Sequence, residues 1–62
     1  MLAYFSGFAS QKTGGERASC PYPKGTLKAV LWFYGFDDGS NRKLRTLSEV
    51  HRLEERLKDK IQ

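Results

Sequence analysis

Eight of the ten residues from Leu27 to Phe36 are apolar: Leu27, Ala29, Val30, Leu31, Trp32, Phe33, Tyr34 and Phe36. This is the most apolar stretch of a 62-residue chain, so any fold must shelter it first. Leu27, Val30, Leu31 and Tyr34 fit the i, i+3, i+4, i+7 spacing of a helix face, and Thr26 stands where an N-cap would. The run Val-Leu-Trp-Phe-Tyr is also strand-like in propensity. Periodicity does not decide for a run that is apolar on both faces, but its length favours a helix, and that is the reading taken. Asp37-Asp38-Gly39-Ser40-Asn41 supplies turn residues that should end the element.

Two further helices are expected around it. In Leu2–Lys12, Tyr4 pairs with Phe8 and Phe5 with Ala9 at four-residue spacing. Gly7 weakens this helix but lets another element approach closely. At the other end, Thr46-Leu47-Ser48-Glu49 reads as a capping box. Leu47, Val50, Leu53, Leu57 and Ile61 follow as an apolar stripe over residues 46–61, and Glu54 with Lys58 would form an i, i+4 pair. Between the first two helices lies a connector, residues 13–25. It holds the break Gly14-Gly15 and the segment Cys20-Pro21-Tyr22-Pro23, whose prolines bias Cys20 and Tyr22 toward extended geometry. No internal repeat or low-complexity tract is evident. The expected fold is all-α and a single domain over residues 1–62. Residues 1–40 form a helical hairpin joined by a Pro-containing connector, with Trp32 against Phe8, and residues 41–62 add a C-terminal amphipathic helix.

The composition excludes several function classes. A chain this short buries only about 60% of its unfolded surface, leaving little material for a deep substrate pocket. One cysteine and one histidine cannot complete a structural zinc site or an internal disulfide. No apolar run approaches membrane-spanning length, and the N-terminal residues lack the form of a signal peptide, so a cytoplasmic location is expected. Catalysis finds no support either. Cys20 has only His51 as a conceivable base, far away in sequence, and reads instead as a small turn-packing residue. Lys24-Gly25-Thr26 has the wrong order for a phosphate loop. Asp37 and Asp38 lack the further ligands of a metal loop, and carboxylates at a helix C-terminus oppose its dipole. No cofactor, metal or small-molecule substrate is expected.

What remains is positive charge beside aromatic rings. The net charge is +4, of which residues 41–62 contribute seven Lys/Arg against four Asp/Glu. Lys12, Arg17, Lys24 and Lys28 flank the connector, and Arg42, Lys43 and Arg45 form the densest cluster. Lys and Arg neutralise phosphates, and a tyrosine held in a loop, Tyr22, is suited to stack on an unpaired RNA base. Arg17, Tyr22, Lys24, Lys28, Arg42, Lys43 and Arg45 are therefore the candidate RNA-binding residues. The same features also suit a merely solvated basic surface.

Tyr4…Gly7, then Cys20-Pro21-Tyr22, then Trp32-Phe33-Tyr34-Gly35-Phe36 resembles, in order and approximate spacing, the ribosome modulation factor family. The resemblance covers residues 3–39, with Tyr4, Gly7, Cys20, Pro21, Trp32, Gly35 and Phe36 as its motif positions. It implies a two-helix protein that binds the small ribosomal subunit near the 3′ end of its RNA and silences translation by occlusion. Here the connector before Cys20 is longer, and the helix over residues 46–61 extends past the motif. Related short proteins with the Cys-Pro-Tyr core include the CrpP group, described as modifying fluoroquinolone antibiotics, which is the enzymatic alternative. A third reading is an accessory protein, or a homo-oligomer, that grips its partner through residues 46–61. The shared glycines and prolines would also serve a purely structural role, letting two helices cross and shaping their link.

Overall fold

The computed structural model describes residues 2–60. It contains α1 (Ala3–Lys12), α2 (Leu27–Ser40) and α3 (Leu47–Lys58), with a 3-10 turn at Arg17–Ser19 in the connector. No strand occurs among the described residues, and the apolar run lies wholly within α2. The fold is the all-helical one expected, a helical hairpin followed by an amphipathic third helix. Ile61 lies outside the described residues.

The helix ends follow from local chemistry. The Thr26 hydroxyl accepts from the Ala29 amide and donates to the Pro23 carbonyl, fixing the start of α2. Thr46 and Glu49 form the reciprocal capping box of α3, satisfying two otherwise orphaned amides. α1 closes with the Gly14 amide bonded to the Gln11 carbonyl and the Gly15 amide to that of Ser10. This is a Schellman motif, with Gly14 in the left-handed conformation at φ +84°. On α3, Glu55 rather than Glu54 lies within ion-pair distance of Lys58, at 3.6 Å, and Glu54 faces His51 instead.

α1 and α2 meet backbone to backbone. A Cβ on Gly7 would overlap the carbonyl of Trp32 and come within 3.1 Å of the Phe36 nitrogen. A Cβ on Gly35 would overlap the carbonyl of Tyr4 and come within 3.0 Å of the Phe8 nitrogen. The two contacts mirror each other because the two segments do. Tyr4-Phe5-Ser6-Gly7-Phe8 and Trp32-Phe33-Tyr34-Gly35-Phe36 share the pattern aromatic-Phe-x-Gly-Phe. The chain thus carries a short internal repeat after all, whose two copies pack on one another. Gly39, one turn beyond Gly35, lies against the side chain of Gln11.

This contact sets the rotation of α2. Its inward face carries Leu31, Trp32, Gly35, Asp38 and Gly39, while Val30 is half-buried and Tyr34 exposed. Of the face built on Leu27, Val30, Leu31 and Tyr34, only Leu31 is buried, Leu27 and Val30 are half-buried and Tyr34 is exposed. Apolar periodicity alone leaves the phase of such a helix open, and the glycines decide it. Trp32 is buried as expected, but its ring neighbours are Phe33 and Phe36, not Phe8. Lys12 lies over the Phe8 ring. Val50 and Leu53 of α3 complete one core with Ala3, Tyr4, Leu31 and Trp32. Leu47, the first residue of the apolar stripe, remains exposed.

Replacing either Gly7 or Gly35 with Ala should force the helices apart, at a cost of about 3 kcal/mol, the upper range for overpacking. Gly25, at positive φ but with open space around it, should lose only about 1 kcal/mol on the same change. Urea unfolding of the three variants checks the order. Equal losses would mean that backbone conformation, and not helix contact, sets the glycine requirement.

Candidate nucleic-acid interface

The two adjacent carboxylates at the end of α2 explain how the basic residues are arranged. α2 runs on through Asp37 and Asp38 to Ser40, past the point where turn residues were expected to stop it. Neighbouring positions on a helix point about 100° apart, so Asp37 faces outward and Asp38 inward. Each has an arginine partner, which offsets the unfavourable placement of an acid at this end of the helix dipole.

Asp38 is only 9% exposed. It accepts from the Tyr4 hydroxyl and, at 2.9 Å, from Arg45 Nε. The Arg45 amide in turn donates to the Tyr4 oxygen at 3.1 Å. Burying a carboxylate is costly unless it is paired and hydrogen-bonded, and Arg45 supplies the pairing while Tyr4 adds a second donor. The hydrogen bond to Asp38 holds the Arg45 guanidinium above its usual range. Arg45 also lies over the Tyr34 ring. The expected cluster of Arg42, Lys43 and Arg45 is thus split. Arg42 and Lys43 are exposed, while Arg45 is turned back to tie α1, α2 and the link to α3 together.

Arg42 occupies an unusual conformation. The Arg42 amide bonds the Gly39 carbonyl and the Lys43 amide that of Asp38, a second Schellman motif. The left-handed position, filled by Gly14 after α1, is here filled by Arg42 at φ 54°. A side chain at that position is strained by about 1–2 kcal/mol relative to glycine.

Asp37 forms a paired hydrogen bond with Arg17, Nε to Oδ1 at 3.0 Å and Nη2 to Oδ2 at 3.1 Å. Arg17 also stacks over the Phe33 ring at 4.5 Å. From there the connector runs back beside α2, bringing Tyr22 under Lys28. Tyr22 is half-buried against the core, and Cys20 Sγ points to the Tyr22 carbonyl at 3.8 Å. Two open clefts result. One, of about 400 Å³, is lined by Arg17, Ala18, Cys20, Tyr22, Lys24 and Phe33. The other, of about 430 Å³, is lined by Arg17, Val30, Phe33, Tyr34 and Asp37. Arg17 on Phe33 forms the shared wall between them. Four of the candidate residues, Arg17, Tyr22, Lys24 and Lys28, thus gather on one face.

Phe33, Tyr34 and Asp37 belong to this face although their sequence pattern did not mark them. With the phase of α2 set by its glycines, Val30, Phe33, Tyr34 and Asp37 share the outward side at i, i+3, i+4, i+7 spacing. Among the described residues no group of three or more His, Cys, Asp or Glu is placed to hold a metal ion, and no helix is long and apolar enough to cross a membrane. No protein-family model, curated protein or solved structure matches this chain.

Two outcomes follow from this geometry. Burial, and then the bond to Asp38, hold the Tyr4 hydroxyl above the usual tyrosine value of 10.0. The folded chain therefore keeps this proton at a pH where the unfolded chain has lost it. The stability contribution is full below pH 10.0 and is lost as pH rises through the folded value of Tyr4. Tyr4→Phe should remove that alkaline loss while costing about 1–3 kcal/mol near neutrality; denaturation midpoints across an alkaline pH series report both. Arg42→Gly should stabilise the fold by up to about 1 kcal/mol by relieving the left-handed residue, read from the urea midpoint. A neutral or destabilising result would show Arg42 to be unstrained.

Proposed function

We propose that this protein is a small RNA-contacting protein of the ribosome-modulation type, which binds RNA of the small ribosomal subunit and silences translation by occlusion. The observation that carries the proposal is the face where Arg17, Lys24 and Lys28 surround Tyr22, Phe33 and two adjoining clefts. Cations beside half-buried rings that line an open cleft suit a single-stranded nucleic acid, whose phosphates take the charge and whose bases take the stacking surface. Arg42 and Lys43 add two exposed cations just past the end of α2. Holding an arginine where glycine would relieve strain is the kind of cost found at functional positions. The resemblance of residues 3–39 to ribosome modulation factor points to the same class of partner and to the cytoplasm.

A second reading is favoured by the exposed apolar residues Leu44 and Leu47, at 60% and 55% exposure. They sit at the entry to α3 and suit a protein partner gripped by the third helix.

Co-sedimentation with small ribosomal subunits over a salt series separates the readings. Saturable binding near one to one that persists at physiological salt supports the ribosomal proposal. A double variant, Arg42→Gly with Lys43→Ala, should weaken binding and flatten the salt dependence by about 0.7 per lost phosphate contact, the value for single strands. Binding without a stoichiometric limit would reduce the interaction to bulk charge and leave the α3 reading in front, whereas an unchanged salt slope in the double variant would remove Arg42 and Lys43 from the contact.

A further inference from the structure

The cleft lined by Arg17, Cys20, Tyr22, Lys24 and Phe33 has a feature that bulk charge does not explain. Its most prominent cation is already engaged. Arg17 is held by both oxygens of Asp37, and that bond pushes its guanidinium above the ordinary range. Yet both partners are about half exposed, and a pair in that setting contributes little to stability. It does little for the fold, but it sets where the guanidinium sits. The other cations differ: among the described residues neither Lys24 nor Lys28 has a carboxylate within 4.0 Å.

The size and lining of the site suit one unit of a nucleic-acid strand. A cleft of about 400 Å³ lies at the small end of the range for ligand sites. Tyr22 offers a ring fixed between two prolines. Lys28 covers one side of that ring at 6.0 Å, and Phe33 lines the cleft beside it. Arg17 and Lys24 share the lining, so two cations border the cleft that holds the ring.

Resting on the RNA-binding reading above, we propose that this cleft receives one unpaired nucleotide of a single-stranded RNA, with Asp37 as the gate. The base lies against Tyr22, a flanking phosphate reaches Lys24, and Arg17 leaves Asp37 for the next phosphate. Arg17 is suited to the exchange because a carboxylate and a phosphate both accept the same two-pronged bond. Its stacking on Phe33 at 4.5 Å gives the guanidinium a plane on which to pivot without giving up that contact. Asp37 then acts as an internal competitor for the phosphate. It keeps the free protein from binding every polyanion it meets, and only a strand that also fills the cleft displaces it.

The test is a double-substitution cycle on the full chain. Its readout is fluorescence anisotropy of a short labelled, unpaired oligoadenylate at physiological salt, with circular dichroism confirming the helical fold of each variant. Asp37→Asn should tighten binding about threefold or more by removing the competitor, and Arg17→Ala should weaken it. The decisive comparison is Asp37→Asn in the Arg17→Ala background, where the gain should vanish. A gain that persists there comes from net charge alone and overturns the gate. Tyr22→Ala should lose about tenfold, the contribution of one stacked base. An unchanged affinity for that variant would remove the base from the cleft. Competition with free AMP distinguishes strand from nucleotide. Displacement by AMP at concentrations comparable to the oligonucleotide would overturn the assignment to a strand. If the unsubstituted protein binds subunits in sedimentation while Asp37→Asn leaves oligoadenylate affinity unchanged, the gate fails and the RNA reading stands. If the unsubstituted protein binds neither, both fail.

Discussion

Everything in this fold depends on the backbone contact between Gly7 and Gly35. Two helices approach closely enough for each glycine to receive a carbonyl from the other helix, and no side chain fits between them. So small a protein has few large side chains with which to build a core. Close approach of the helices lets Tyr4 and Trp32 be buried together in one core. The contact uses two copies of one short pattern, so it is made twice with nearly the same chemistry. Because the glycines must face each other, they fix the rotation of α2 more firmly than its nearly uniform apolar surface does.

That rotation divides the two carboxylates at the end of α2 between structure and surface. Asp38 turns inward and is satisfied by Tyr4 and Arg45, which fastens α1 and the α3 link to the central helix. Asp37 turns outward and holds Arg17 over Phe33. The same two arginines look interchangeable in sequence. One is a structural counterion to a buried charge and the other an exposed, exchangeable one, and the difference is set by a rotation of about 100° between adjacent residues.

The two Schellman motifs make a parallel contrast. Both close a helix with the same pair of backbone bonds, yet one uses Gly14 and the other Arg42 at the left-handed position. Gly14 meets the local geometric requirement at little cost. Arg42 meets it under strain and leaves its guanidinium exposed beside Lys43. The lowest-energy residue for the turn is not the one present there, and the basic surface at that end of α2 gains a cation in exchange.

The sequence by itself determined the helical class, the cap of α2, the capping box of α3, the connector with its prolines, and the burial of Trp32. These depend on local hydrogen bonding and on spacing within a single element, which a linear reading captures. It also named four of the residues from which the candidate face is built, Arg17, Tyr22, Lys24 and Lys28. Only the tertiary structure decided which of them meet. The face of α2 that turns inward, the pairing of Asp37 with Arg17 and of Asp38 with Arg45, and the inclusion of Phe33 and Tyr34 in the site all depend on the phase of one helix against another. That phase was set by two glycines 28 positions apart in the chain. Local periodicity carries no information about so distant a contact when the helix is apolar on both sides.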